Sequence, residues 1–183
     1  MLSELEREEQ RIRVASVTSA VEWDTRDDFL MPTRGLLGAV ALEFAFPAFT
    51  ADAEFLKLSG GLSVYRPVPH GALAVGLRLG AMEPLGADTG EAENLQVPLA
   101  SRFFAGGRVS HRAFRTDRLG VPGQTLRDTG DPLGGNALLL VNVDWVRQIK
   151  GILSGVLFVD AGNVWAAPDT VDLSDLRWGG GLG

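Results

Sequence analysis

Apolar and polar residues alternate along several stretches of this chain, and a period of two predicts β-strands with one apolar and one polar face. Between Gly35 and Phe46 the even positions are mostly bulky and apolar, whereas the odd positions are mostly small and include Glu43. The alternation is cleaner between Ala72 and Met82, and no helical periodicity persists for more than about two turns. The predicted strands cover residues 13–24, 35–46, 56–65, 72–82, 136–148, 151–165 and a last segment that begins near Leu176. The pattern therefore predicts an all-β fold of about seven strands.

The length and polarity of these strands distinguish two all-β architectures. A soluble β-sandwich is the usual meaning of alternating strands, but its strands are typically about five or six residues long. The strands predicted here are about ten residues or longer, which suits a tilted crossing of a bilayer. Their polar faces are rich in Gly, Ala and Ser, and Trp145 and Phe46 fall near strand ends, where aromatic girdles lie. We therefore predict an antiparallel meander that forms part of a transmembrane β-barrel, with a soluble β-sandwich interaction module as an alternative.

The alternation also predicts which strands pair and which side chains face lipid. Connections alternate between short turns and long loops, as in outer-membrane barrels, and the longest covers residues 83–135. The expected antiparallel pairs are 35–46 with 54–65, 54–65 with 71–82, and 136–148 with 151–165. The predicted lipid-facing residues are Leu36, Val40, Leu42, Leu73, Val75, Leu77, Leu139, Val141, Leu157 and Val159.

Composition and charge exclude several classes of function. The chain has no cysteine and two histidines, which excludes a disulfide scaffold, a thiolate zinc site and a multi-histidine metal cluster. Its formal net charge of -6 has the wrong sign for a nucleic-acid binder. The segment 128–131 lacks the further ligands of a calcium loop and is interpreted as a plain turn. No Ser/His/Asp set indicates catalysis, so we expect no enzyme activity, no cofactor and no metal.

Several short motifs occur in one order along the second half of the chain. They are Arg102–Gly107, Val109–Phe114, Gly134–Asn136, Asp144–Trp145 and Phe158–Trp165. Their order and spacing resemble the C-terminal half of the BamA/TamA barrel family, the outer-membrane assembly and translocation proteins also known as bacterial surface antigens. The resemblance implies a barrel of roughly sixteen antiparallel strands, preceded in full-length members by periplasmic POTRA domains. We therefore expect residues 1–183 to be a fragment of one outer-membrane β-barrel domain, carrying about seven of its strands.

The resemblance also implies an internal loop that returns into the barrel lumen and carries an Arg-Gly-Phe signature. Here the signature reads Arg112-Ala113-Phe114, and the alanine is a departure that bears on any loop tip requiring a positive φ. In the family the arginine contacts acidic groups on inward faces of the following strands, which would here be Asp144 and Asp160. The period of two independently places both carboxylates on inward faces. We expect Phe114 to pack beside Arg112 and to shield the charged pair from water. An arginine exposed to solvent in a loop is the alternative. The residues expected to support these motifs are Gly106, Gly107 and Gly162.

The function implied by the resemblance is assembly, insertion or translocation of other proteins at the bacterial outer membrane, without covalent chemistry. The implied partners are outer-membrane lipid, unfolded outer-membrane or secreted client proteins, and periplasmic accessory proteins, but no nucleic acid. The implied mechanism is β-augmentation of client strands at a weak barrel seam. One alternative is a passive outer-membrane channel, or the C-terminal barrel of a fused secreted enzyme such as a patatin-like lipase. The soluble interaction module named above is the other.

Overall fold

The computed structural model of the chain describes residues 13–47, 53–86, 96–150 and 153–183. Within these ranges seven strands form one antiparallel sheet whose spatial order is the order in the chain, which confirms the predicted all-β meander. The strands are β1 (Ser16–Asp24), β2 (Gly35–Ala45), β3 (Phe55–Val68), β4 (Gly71–Pro84), β5 (Ala137–Lys150), β6 (Leu153–Trp165) and β7 (Arg177–Leu182). Short 3-10 turns cover Leu99–Ser101, Pro168–Thr170 and Leu173–Asp175. No helix in the described ranges is long and apolar enough to cross a membrane.

The register of neighbouring strands confirms the predicted pairs. β2 and β3 pair from Gly35 opposite Tyr65 onward, and β5 and β6 pair from Ala137 opposite Trp165. The predicted start of the sixth strand, residues 151–152, lies outside the described residues. β3 extends through Val68, beyond the predicted end at 65, because the chain turns immediately after it and the ladder continues to the turn.

One face of the sheet is apolar and exposed. Antiparallel partners point to the same side, and the register pairs Leu42 with Leu58, Val64 with Val75, and Leu77 with Val141. Among the predicted outward residues Leu157 remains 50% exposed, and no second sheet packs on this face within the described strands. The two-sheet sandwich is therefore excluded for the described residues, and the apolar face is available to a non-aqueous environment.

The opposite face, called here the inner face, is partly covered by the long connection between β4 and β5, whereas β1 stays exposed. β4 extends through Pro84, so this connection starts slightly later than predicted. Its described part, residues 96–136, is called the inner segment. It buries a small apolar core against the inner face. The members of this core are Ala45, Ala53, Phe55, Met82, Val97, Phe103, Ala105, Leu119, Leu140 and Val164.

Candidate functional site

The inner segment is attached to the sheet by polar contacts as well as by its core. The Lys57 ammonium group on β3 donates to the carbonyl of Ser101 at 2.6 Å and lies 4.6 Å from the ring centroid of Phe103. The buried Thr125 hydroxyl donates to the carbonyl of Val164 on β6 at 3.1 Å. These contacts tie the inner segment to strands on both sides of β4 and β5, so it is a fixed part of the sheet's inner surface.

A tight hairpin forms the part of the inner segment that reaches furthest across the sheet. The amide of Gly107 donates to the carbonyl of Phe114 at 2.9 Å, and the Ser110 hydroxyl bonds the backbone of Gly106. Gly106 and Gly107 have φ values of 117° and 89°, in the left-handed region that favours glycine. A Cβ on Gly106 would also collide with the carbonyl oxygen of Arg115. Both predicted glycines are thus required by the local backbone.

Arg112, at the tip of this hairpin, forms a hydrogen-bonded ion pair with the carboxylate of Asp160. Its backbone N–H and its Nε donate to Oδ2 at 2.8 and 3.0 Å, and its Nη2 donates to Oδ1 at 2.6 Å. The Asp160 side chain is fully buried, whereas that of Arg112 is 23% exposed. Hydrogen bonds between two charged partners in this fork geometry are among the strongest in proteins. We call this pairing of Arg112 with Asp160 and Asp144 the latch.

The guanidinium of Arg112 has two further neighbours on the inner face. Its Nη1 lies 2.7 Å from Oδ1 of Asp144, which forms a second ion pair. Its carbon lies 3.8 Å from the ring centroid of Phe158, which adds a cation–π contact. The hydrogen bonds that Arg112 donates to Asp160 raise the pKa of Arg112 above its ordinary value, although partial burial acts in the opposite direction. The arginine therefore stays charged between two carboxylates and an aromatic ring.

The ring of Phe114 has a different position from the one expected. The sequence predicts that Phe114 shields the guanidinium, but the structure places it edge-on to His111 at 4.9 Å and against the core. Phe158 covers the guanidinium instead, because it lies two residues before Asp160 on β6 and so shares its face of the strand. That spacing of two was a visible signal for Phe158 in the sequence.

The tip of the hairpin also touches β7, which sequence reasoning did not foresee. The Nε2 of His111 donates to the carbonyl of Arg177 at 3.0 Å. Gly179, opposite Asp160 in the ladder, leaves the space that the methyl group of Ala113 occupies, since a Cβ at 179 would collide with it. Ala113 is not among the described residues with positive φ, so the alanine fits without backbone strain. The glycine run at 179–181 was the available signal.

Gly162, the remaining predicted glycine, lies on β6 outside the latch. A Cβ there would collide with the carbonyl oxygen of Leu139, so its place is explained by close strand packing. Within the described ranges no group of three or more His, Cys, Asp or Glu side chains could hold a metal ion. The latch residues themselves offer charge pairing and hydrogen bonding.

Comparisons with known proteins agree with this architecture. The model of the Omp85 superfamily domain matches residues 6–183. The fold is similar to that in the crystal structure of BamA from Haemophilus ducreyi lacking POTRA domains 1-3, with a TM-score of 0.74 and 18% sequence identity over 98% of this chain. The chain spans 40% of the length of that structure. At this identity the likeness shows a shared fold.

Proposed function

The chain belongs to the Omp85 superfamily, and from that premise we propose that it inserts or translocates other proteins at the bacterial outer membrane. Members of this superfamily are outer-membrane β-barrel proteins of assembly and translocation. As part of the proposal, residues 1–183 contribute to one barrel domain, with 83–135 as its internal loop. The exposed apolar face then contacts lipid, as the outward faces of barrel strands do.

The observation that carries the proposal is the charged contact that holds the inner segment inside the sheet. A passive channel needs an open lumen, whereas here the inner segment lies over part of the inner face and is fastened to a buried carboxylate. Such a latch stabilises the barrel wall from within, and it leaves strand edges free to change partners. The arrangement therefore favours a barrel that acts on other proteins at its strand edges over one that conducts solutes through its lumen.

The proposed mechanism is β-augmentation, in which an unfolded client adds strands to an exposed sheet edge through main-chain hydrogen bonds. In this mechanism the latch keeps the inner face ordered while a seam opens, because it joins the inner segment to β5 and β6. The clients are unfolded outer-membrane or secreted proteins, and periplasmic accessory proteins deliver them. No covalent step is involved.

Reconstitution into liposomes tests this proposal. The probe client is a urea-denatured outer-membrane barrel of eight strands, and its folded fraction is followed by protease protection over time. We expect the wild-type protein to accelerate client folding over empty liposomes. The substitution Arg112→Ala should reduce that acceleration roughly tenfold, the rate change that corresponds to about 1.4 kcal/mol.

A matched control lies in the same inner segment. Arg118 pairs with Asp131 at 3.1 Å on the surface, where both side chains are largely exposed, so Arg118→Ala should leave the acceleration unchanged. No acceleration by the wild type, together with steady solute flux through the liposome membrane, would contradict the proposal and favour the passive channel.

A further inference from the structure

The side chain of Asn142 on β5 bridges the inner segment and the latch. Its Nδ2 donates to the carbonyl of Ser110 at 2.7 Å and to Oδ1 of Asp160 at 2.8 Å. An amide nitrogen has two hydrogens, so both bonds form at once. Its Oδ1 accepts a hydrogen bond from Nη2 of Arg78 at 3.3 Å. Both polar atoms of this amide are thus engaged, and its three partners are a latch carboxylate, the backbone of the hairpin and a side chain of β4.

Arg78 on β4 continues the same network away from the latch. Its Nη2 donates to the carbonyl of Val109 at 2.7 Å. Val109 directly precedes Ser110, the residue whose carbonyl Asn142 holds, and both lie just before Arg112. Neighbouring backbone groups of the hairpin are therefore bound by side chains from two neighbouring strands.

We propose that Asn142 and Arg78 are positioning residues of the latch. The biological purpose of this role rests on the proposed function, whereas the role itself rests on the contacts described above. Arg78 holds the carbonyl of Val109 and Asn142 holds that of Ser110, which fixes the approach of the chain to Arg112. Asn142 also orients Asp160, since its bond to Oδ1 leaves Oδ2 facing the backbone N–H of Arg112.

The chemistry of the bridge requires an amide. The nitrogen must donate to a carbonyl and a carboxylate at the same time, and among similar side chains only asparagine supplies two donors at this length. A carboxylate at 142 would face Asp160 and repel it, and leucine would fill the space without donating. The change from asparagine to aspartate therefore removes the donors and leaves the shape nearly unchanged.

The test follows the mobility of a nitroxide spin label attached at position 109. The chain contains no cysteine, and Val109 is 85% exposed, so Val109→Cys introduces a single labelling site on the hairpin. We expect a small mobile fraction in the wild type reconstituted in bilayers. Asn142→Asp, Asn142→Leu and Arg78→Met should each raise it roughly tenfold, the effect of losing a hydrogen bond to a charged partner or its supporting contact.

A pH profile separates positioning from general support of the fold. Two facing carboxyl groups share a proton as the pH falls, and the protonated group is again a donor to Asp160. The mobile fraction of Asn142→Asp should thus decrease on acidification, whereas that of Asn142→Leu should not. The charged groups facing position 142 are Arg78 from β4, Asp144 from β5, Asp160 from β6 and Arg112 from the inner segment, and β7 presents Gly179 there.

The control is Asn163, a buried amide on the opposite face of β6 that donates to the carbonyl of Asp175 at 2.8 Å. Asn163→Leu removes an equivalent amide from the same sheet and should leave the label at 109 immobile. The inference is overturned if Asn142→Leu and Arg78→Met leave the label immobile, or if Asn163→Leu mobilises it equally. If label mobility changes as expected but the acceleration of client folding is the same in every latch variant, the proposed function fails and the positioning role stands.

Discussion

The substitution Arg112→Ala tests how much the latch contributes to the free energy of unfolding. Asp160 receives four donors in the native state, from the Arg112 backbone, Nε and Nη2 and from Asn142. The substitution removes the two side-chain donors and the cation–π contact with Phe158, and it leaves the other two donors in place. The buried Asp160 carboxylate therefore keeps two of its four hydrogen-bond donors.

The magnitude lies between two known limits. Removing one partner of a buried ion pair costs about 3–5 kcal/mol, and an exposed pair contributes about 0–1 kcal/mol. Asp160 is fully buried, whereas the side chains of Arg112 and Asp144 are 23% and 25% exposed. Because two donors remain, we expect Arg112→Ala to lower the free energy of unfolding by roughly 2–3 kcal/mol.

Urea unfolding in lipid bilayers, followed by the fluorescence of the four tryptophans, measures this change. A double-mutant cycle with Asp160→Asn should give a coupling energy of about 1.5 kcal/mol or more. The cycle with Asp144→Asn should give less, because Arg112 reaches Asp144 through one atom pair and Asp160 through two side-chain hydrogen bonds. A loss for Arg112→Ala as small as that for the surface control Arg118→Ala, or no coupling between Arg112 and Asp160, would contradict a stabilising latch.

Three other outcomes follow from the structure. Gly179→Ala should weaken the latch by colliding with the methyl group of Ala113, and the second substitution Ala113→Gly should restore it; label mobility at 109 checks this, and a failure of rescue contradicts the close packing. The hydrogen bond from Thr33 holds the pKa of Asp27 well below its ordinary value of 3.8, so this carboxylate stabilises the turn between β1 and β2 above that value and loses the effect as the pH falls through its folded pKa. An NMR titration of the Thr33 amide should show this acid transition, and Thr33→Val should move it upward. Leu77→Lys on the apolar face should cost roughly 2–4 kcal/mol in bilayers, whereas Ser63→Lys on the inner face should cost much less by the same urea assay; equal costs argue against lipid contact.

Much of the sheet could be predicted because alternating apolar and polar residues directly indicate which face of a strand is apolar. Leu77 and Val141 alternate with Arg78 and Asn142 along β4 and β5, and that alternation predicts both the faces and the register. The ends of strands were harder, since β3 includes Pro67, which looks like a strand breaker but pairs with Ala72 beside the turn.

The candidate site was predictable only in its charged members. Arg112, Asp144 and Asp160 were named from the resemblance and from inward positions on strands. The contact between Ala113 and Gly179 depends on how far the hairpin reaches across the sheet, and the glycine run at 179–181 indicates open space without encoding that distance. The bridge by Asn142 was missed for a related reason. A single inward asparagine indicates no role in the sequence, because its partners Ser110 and Asp160 are distant along the chain.

Accessibility of single spin labels along β5 tests most directly whether this sheet is a barrel wall with lipid outside and the inner segment within. Cysteine substitutions from 138 to 143 can be labelled one at a time because the chain has no other cysteine. We expect strong relaxation by dissolved oxygen, which concentrates in lipid, at Leu139, Val141 and Val143, and weak relaxation at Leu138, Leu140 and Asn142. Accessibility without a period of two, or with lipid exposure at the second set, would contradict it.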